Sequence, residues 1–573
     1  MSDPRPRAPR RWLAEAGLVA ALAVIVARFS GSENWASRYT PDSEFYFSLA
    51  VFGSDVTDRA IYPAYYWTRL GVLVPQRALI ESFGVWGGFA AYRLALLTVV
   101  VASAYVTVRR FWPSPALACA GALTCGLNTV VLSFAGDSYI TGTAVAGLFL
   151  LLALTVCVAT SREGPQLMFA AAAGCAMGWL AMINPYAVLL GSFTCATAFL
   201  LLARWSRTPL RRMAALVVAA AAAAWSIFVT FLFAGTLMFP GMGWLATTRQ
   251  YVGLLDPADY TSATFDWART ETSLAVVLIA AAMAVGVWAT TAAAAAARTG
   301  AALAGSGLVF AGLYRALQPG PFFEASFYSA LLWPGALLGF VLAGCTVLAP
   351  LLAAWPAWVR WSAPPLVFAV AVAAGHSTAI LSVAAAVAVT AGITAALAVA
   401  GVLLARASEA RSRLLPMAAA ALLAVAGLQV LQNGRSASPG VVERDPYFWA
   451  FHDVDAEKRL ERALAVQRWV LEQTAPQDRV LVWVEPGAVF DSEAAMQLWG
   501  PNSLSNKAKP TPVELAAAQA AQATVLVTYS ATTRTAEEFT DSVRAAGVPM
   551  TAGPCTERGA NDDTISVCVH RFG

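Results

Sequence analysis

Thr40-Pro41-Asp42-Ser43-Glu44-Phe45-Tyr46-Phe47 follows the first apolar segment, and in it two carboxylates two positions apart run into a cluster of aromatics. Thr40 suits a helix N-cap. Pro41 suits the first helical position, because its missing N–H would have no partner there. The stretch therefore predicts an amphipathic helix that opens at Pro41 on a membrane surface. Asp42 and Glu44 have two readings. They complement the positive end of the helix dipole, or they form an acid pair facing a lipid-borne substrate at the outer leaflet. The octapeptide alone leaves both open.

Working outward, composition sets the class. Hydrophobic residues make up 58% of the 573 and charged residues 13%, and several apolar runs reach the twenty or so residues that cross a bilayer. Arg5, Arg7, Arg10 and Arg11 precede the apolar run Leu13–Arg28 with no small-residue cleavage site after it, which predicts an uncleaved anchor with its N-terminus inside. Further candidate spans are Phe89–Val108, Ser114–Ser133, Tyr139–Thr160, Gln166–Ile183, Ala187–Ala203 and Met213–Ala234. Thr272–Ala297, Ala301–Leu317, Ser329–Ala354, Ser362–Ala374, Ala379–Ala405 and Leu414–Val430 complete a set of about thirteen. Charge tests that set. The loops it places inside hold Arg109-Arg110, Arg162, Arg204 to Arg212, Arg298, Arg360 and Arg406 to Arg413, so each carries arginine, as the positive-inside rule requires. The net charge of +4 is spread over these loops and gives no reason to expect a nucleic-acid partner.

The expected architecture is a polytopic α-helical membrane module over residues 1–431 and a small extracytoplasmic α/β domain over residues 432–573. Outside lie the first loop, residues 29–88, a second long loop Gly235–Glu271, and the tail. In the tail, Asp455–Gln473 reads as an amphipathic helix and Arg479–Val484 as a buried strand. A helix over Val513–Gln522, a strand Thr524–Tyr529, a helix Arg534–Ala546 and a final strand Thr564–Arg571 follow. No glycine-rich phosphate loop follows either inner strand, which argues against a nucleotide site. Six cysteines fall within spans and read as small packing residues. Cys555 and Cys568 share the outer, oxidising side, which predicts a disulfide between them.

The remaining candidates sit at the outer face. Asp137, in the tight turn Phe134–Tyr139, either caps the following helix or joins Asp42 and Glu44 as a metal ligand or hydroxyl acceptor. Arg59, Tyr62, Tyr65, Tyr66, Trp67, Arg69 and Arg77 interleave aromatics with arginine, with Pro63 and Pro75 breaking the loop into short helices. That pattern suits any membrane interface. It also suits phosphate binding, because the guanidinium fork bonds two oxygens at once. Arg93 lies just inside the second span and Arg315 near the outer end of the ninth, where a buried cation calls for an anion. Arg249 lies in the second outer loop. His376 is a turn histidine or a further substrate contact.

An N-in first span, a long outer loop opened by Asp42-Ser43-Glu44, an aromatic juxtamembrane helix and Tyr92-Arg93-Leu94 at the start of the second span together resemble the GT-C superfamily of membrane glycosyltransferases. Asp137 in the next outer turn and the outer C-terminal domain add to the resemblance. It implies a polyprenyl-phosphate-linked sugar donor and transfer outside the cytoplasm to a glycan, lipid or protein acceptor of the cell envelope. Asp42 falls on the family's catalytic acid position, Glu44 beside it, and Asp137 on the second acidic position. No Trp-Trp-Asp signature is present, so oligosaccharyltransferase activity is not implied. A lipid phosphate leaving group needs charge stabilisation, from Arg59, Arg69, Arg249 or Arg315, with Tyr62 and His376 as further contacts, or from Mg2+ or Mn2+ on Asp42, Glu44 and Asp137. The acceptor hydroxyl needs a base, and Asp42 in that role predicts inversion at the anomeric carbon. Two other classes fit the layout, a lipid-linked-sugar flippase or polymerase and a non-enzymatic envelope assembly protein.

Overall fold

The computed structural model describes residues 8–29, 41–59, 68–128, 131–132, 140–161, 163–202, 209–237, 284, 295–317, 330–354, 454–485, 503–504, 522–530, 532–545, 547–558 and 565–573. The helices of the membrane module are α1 (Ala8–Phe29), α2 (Pro41–Phe52), α3 (Ser54–Thr57), α4 (Leu70–Arg109), α5 (Pro115–Gly126), α6 (Ile140–Thr160) and α7 (Glu163–Ala181). They continue with α8 (Pro185–Leu202), α9 (Pro209–Leu237), α10 (Ala295–Leu317) and α11 (Trp333–Ala354). Several open with proline because that residue gives up nothing at a helix start. Ser114 Oγ accepts from Leu117 N ahead of Pro115, and Asn184 Oδ1 accepts from Tyr186 N at 2.9 Å ahead of Pro185's helix.

Among the described residues, four helices are long and apolar enough to cross a membrane: Leu70–Arg109, Ile140–Thr160, Leu210–Ala234 and Ala295–Tyr314. Leu13–Ala27, Leu117–Gly126, Pro165–Ala181, Pro185–Phe199 and Ala330–Thr346 are shorter apolar helices. Each corresponds to a candidate span read from the sequence. Ser362–Ala374, Ala379–Ala405 and Leu414–Val430, with nearly all of Thr272–Ala297, lie outside the described residues, as do the second outer loop from residue 238 and the Val513–Gln522 helix up to residue 521.

Lipid supplies little hydrophobic drive between helices, so close contact depends on small residues. Gly174 and Gly178 on α7 face Ala219 and Ala223 on α9, where a Cβ at either glycine would collide with a backbone carbonyl. Gly335 and Gly339 do the same for α11 against α10, with Gly339 set on Gly300. Charge marks the two ends of the bundle. At one end Arg109 grips Glu15 of α1 (Nη2–Oε1 2.6 Å), and Arg110 lies over the Phe169 ring at 4.8 Å and donates to Cys157 Sγ. The other end of the same α4 rod, at Phe89, is ~30 Å away at 1.5 Å per residue.

The segment expected as the first outer loop, 29–88, holds α2, α3 and the first arm of α4. Helix α4 starts at Leu70 and folds back at Gly84, whose φ of 76° and ψ of 173° belong to a region open essentially to glycine alone. The two arms pack so closely that a Cβ on Gly88 would fall 2.5 Å from the Ile80 backbone. Pro75 does not break this helix, contrary to expectation. It cannot donate to the carbonyl of Gly71 four residues back, and Trp179 Nε1 fills that vacancy, donating to Gly71 O at 2.8 Å. Helix α10 begins at Ala295, so Arg298 lies in its first turn and not in a loop before Ala301.

The tail carries α12 (Val454–Gln473), β1 (Val480–Val484), β2 (Ser503–Leu504), β3 (Val525–Ser530), α13 (Thr533–Ala545), β4 (Met550–Thr551), β5 (Cys555–Arg558) and β6 (Ile565–Phe572). The sheet runs β2-β1-β3-β6-β4, with β5 also on β6. β1 lies parallel to β2 and β3, and β6 is antiparallel to β3. Alternation gives each face its partner. Val480, Val482, Val525 and Val527 join Val466 and Val470 of α12, while Leu481, Trp483 and Leu526 join Phe539 and Val543 of α13. Trp483 stacks on Phe539 at 4.0 Å, a pair worth about 1 kcal/mol beyond its burial. Cys555 and Cys568 face each other across β5 and β6 and are joined as a disulfide.

His570 on β6 is 2% exposed, its Nε2 near the hydroxyls of Thr528 (3.3 Å) and Thr540 (3.4 Å). Burial, helped by Arg544, pulls its pKa from 6.5 to about 4. The unfolded chain therefore binds the proton first. Stability from the neutral ring is complete above pH 6.5 and falls away as pH drops toward 4, a loss on the order of 3 kcal/mol. Hydrogen exchange of β3 and β6 peptides, read across that window, should show this slope, and His570→Gln should flatten it.

Candidate active site

The acid-bearing turn opens a helix that is encased from its second turn onward. Phe45, Tyr46, Phe47, Leu49 and Ala50 are all within 1% of full burial. Phe47 stacks on Phe89 of α4 (4.4 Å, 16° between planes) and lies 5.9 Å from Trp86. At the far end of α2, Arg77 donates from Nη1 to the carbonyls of Ala50 and Val51. A cation there satisfies orphan acceptors and the negative end of the dipole together. The helix is thus held at its middle by rings and at its end by a guanidinium. Asp42 and Glu44 occupy its first turn. Their side chains lie outside the described residues.

One turn beyond Phe89, Tyr92 and Arg93 are buried, and Tyr92 Oη shares a 2.6 Å hydrogen bond with Thr143 Oγ1 in the first turn of α6. Thr143 is six residues past Asp137. Asp137, Tyr62, Arg249 and His376 all lie outside the described residues. The Phe47–Phe89 stack and the Tyr92–Thr143 bond therefore join the middle of α2, the Trp86–Arg93 stretch and the start of α6.

The arginine candidates separate. Arg69 is half-buried at the N-cap of α4, where its carbonyl accepts from Val72 N (2.9 Å) and Leu73 N (3.1 Å). Gly71 N, two residues on, bonds Met182 O at the end of α7. Arg315 lies in the last turn of α10, its side chain outside the described residues. Its neighbour Tyr314 meets Tyr186 at the start of α8 edge-on at 6.0 Å. Those contacts put the Arg315 turn at the same end of the bundle as Gly71 and Arg69. Arg59 is 5% exposed, and the guanidinium bonds recorded for it run to the tail and to its own loop. Burial draws its pKa down, against Asp55, Asp478 and Asp58, which push it up. The bonds recorded for Arg59 make it a structural link between loop and tail.

Sequence reading missed Arg77 as the clamp on α2 and missed the Tyr92–Thr143 link. A polar pair, Gln76-Arg77, set between Leu73 and Ile80 on one helix was the available signal for the first. Among the described residues no group of three His, Cys, Asp or Glu side chains could hold a metal ion. Asp42, Glu44 and Asp137 fall outside that set.

These features define a polytopic, mostly helical membrane protein with a small C-terminal β-strand-containing domain. No protein-family model matches the chain, and no curated protein does. Solved structures of several other proteins align with it over most of its length. One is ArnT from Cupriavidus metallidurans bound to undecaprenyl phosphate, with a TM-score of 0.49 and 12% identity over 98% of each chain. Another is the archaeal oligosaccharyltransferase AglB from Archaeoglobus fulgidus with an inhibitory peptide and a dolichol-phosphate (0.48, 10%, 89% of this chain and 69% of that one). A third is the arabinofuranosyltransferase AftD from Mycobacteria (0.44, 14%), of which this chain spans 40%. Likenesses at this level decide nothing about chemistry.

Proposed function

We propose that the protein is a glycosyltransferase that moves a sugar from a polyprenyl-phosphate-linked donor to an extracytoplasmic glycan, lipid or protein acceptor of the cell envelope. The observation that supports this reading is that the helix opened by Asp42 and Glu44 packs through Phe47 on Phe89, one turn before Tyr92-Arg93, with Tyr92 bonded to the start of α6. In this reading Asp42 is the base and the arginines nearby are the cations for one lipid-borne substrate.

In the proposed step the acceptor O–H loses its proton to Asp42 as its oxygen bonds the anomeric carbon. The bond from that carbon to the phosphate oxygen breaks, and polyprenyl phosphate departs as the anion. Attack opposite the leaving group inverts the centre. Arg69 and Arg315 hold the phosphate, with Arg249, Tyr62 and His376 as further contacts. Arginine suits the task because its fork matches two phosphate oxygens. The donor set Asp42, Glu44 and Asp137 is all carboxylate oxygen and fits Mg2+ or Mn2+. Residues two apart on a helix do not share a face, so Asp137 with either Asp42 or Glu44 would hold the ion. Such an ion would neutralise charge on the leaving phosphate.

The acid turn is proposed to face outward with the tail, and the N-terminus inward. Reporter fusions after Arg298 and after Gly434 should report opposite compartments, and one shared compartment would overturn both topology and site. The activity itself is tested by incubating purified protein with a panel of polyprenyl-phosphate sugars and assaying release of the lipid phosphate. No release with any donor, alongside accelerated lipid translocation in vesicles, would replace a transferase with a flippase.

A further inference from the structure

The tail does more than pack on the membrane module: its hydrogen bonds reach the short segment that follows the acid helix. Arg59 Nε donates to Thr474 Oγ1 (3.0 Å), and Nη2 donates to the carbonyls of Thr474 (3.0 Å) and Leu471 (3.3 Å). These are acceptors at the C-terminal end of α12, where a cation also meets the negative end of the dipole. From the same guanidinium, Nη1 returns to Asp55 O at 2.7 Å. The backbone adds two links: Val480 N, opening β1, donates to Arg59 O at 2.9 Å, and Arg479 Nη1 donates to Asp58 O at 2.8 Å. On the tail side the anchor is itself braced. Asp478 accepts from Ala475 N (2.7 Å) and from Arg571, and Thr474 Oγ1 donates to Val470 O.

The segment gripped in this way is continuous with α2. Gly53 N bonds Leu49 O, Val56 N bonds Gly53 O, and Asp58 N bonds Ser54 O, so α3 is stitched onto the end of α2 through one glycine. Val56 is fully buried. From Glu44 to Phe52 the helix is a rod of ~12 Å, so a shift at its gripped end is carried to the acid turn.

We infer that the C-terminal domain is a working part of the acid site, and that Arg59 is a positioning residue that sets the pose of α2 by locking Asp55–Arg59 onto the end of α12. This deepens the transferase reading and rests on it for its effect on turnover. The clamp has its own readout. Hydrogen exchange of peptides covering Phe45–Arg59 should accelerate about tenfold or more in Arg59→Met, while peptides from α4 and α6 keep wild-type protection. Sugar transfer should lose about tenfold to a hundredfold in kcat, the scale of a misplaced catalytic group, with KM for the lipid donor nearly unchanged. Arg59→Lys keeps the charge but not the fork, and should restore part of both. Thr474→Val removes one acceptor hundreds of residues away from α2 and should shift α2 exchange in the same direction by less. That variant decides the matter if Arg59→Met fails to fold. Unchanged α2 exchange in Thr474→Val and in every folded Arg59 variant, or a loss confined to KM, overturns the inference. A wild-type protein that transfers no sugar overturns the transferase reading alone, since the exchange result stands without it.

Discussion

Asp42→Asn is expected to lower sugar transfer by about a hundredfold to ten-thousandfold, the range typical when a general base is lost. The amide keeps the size and hydrogen-bonding shape of the carboxylate but cannot take the acceptor's proton. It also sits in the first turn of α2, ahead of a run that is buried from Phe45 to Ala50, so the packing that holds the helix is untouched. Donor affinity should change far less, because the phosphate contacts belong to other residues. Glu44→Gln separates two versions of the site. A mild loss makes Glu44 an electrostatic neighbour, and a loss matching that of Asp42→Asn, with sensitivity to a chelator, makes it a metal ligand. Near wild-type transfer by Asp42→Asn would return the acid pair to the helix dipole and move the base to Asp137 or the Gly235–Glu271 loop.

Gly88→Val is expected to damage the fold severely, with a loss on the order of 3 kcal/mol and a sharp fall in folded yield. The new Cβ would fall 2.5 Å from Ile80 Cα and N and 2.7 Å from the Leu79 carbonyl carbon. Those are backbone atoms, so no rotamer change relieves the clash and the arms of α4 must separate. Phe47 rests on Trp86 and Phe89 beside the fold-back, so the acid helix loses its seat as the arms part. Gly84→Ala isolates the other requirement. No atom lies within 4 Å of a Cβ there, and the cost is backbone strain alone, about 1–3 kcal/mol. Thermal unfolding in detergent ranks the two, and a Gly88→Val protein as stable as wild type would show that the arms are not in contact.

Local pattern accounts for what was legible in the chain. The apolar runs marked each described span, because a helix in lipid must be apolar over its whole length. In the tail, a short apolar run marked β1 as a buried strand, and an amphipathic period marked α12. Cys555 and Cys568 could be paired before any fold was known, from compartment and count. Short strands such as β2 and β4, two residues each, carry too little pattern to be read.

What the sequence by itself determined is therefore the kind of protein, the order of the described spans, the strand-bearing tail and the helix start at Pro41. Tertiary structure alone decided how those parts meet. Pro75 predicts a break by every local rule, yet the helix runs through it because Trp179, over a hundred residues away, bonds the carbonyl it orphans. Gly84 reads as one more glycine until its φ of 76° folds α4 back on itself. Arg59 reads as a phosphate ligand, yet Nε and Nη2 of its guanidinium donate to acceptors at the C-terminal end of α12. The Pro75 and Arg59 cases turn on a hydrogen-bonding group satisfied by a partner far along the chain. A local pattern records that such a group exists, and only the folded chain shows what satisfies it.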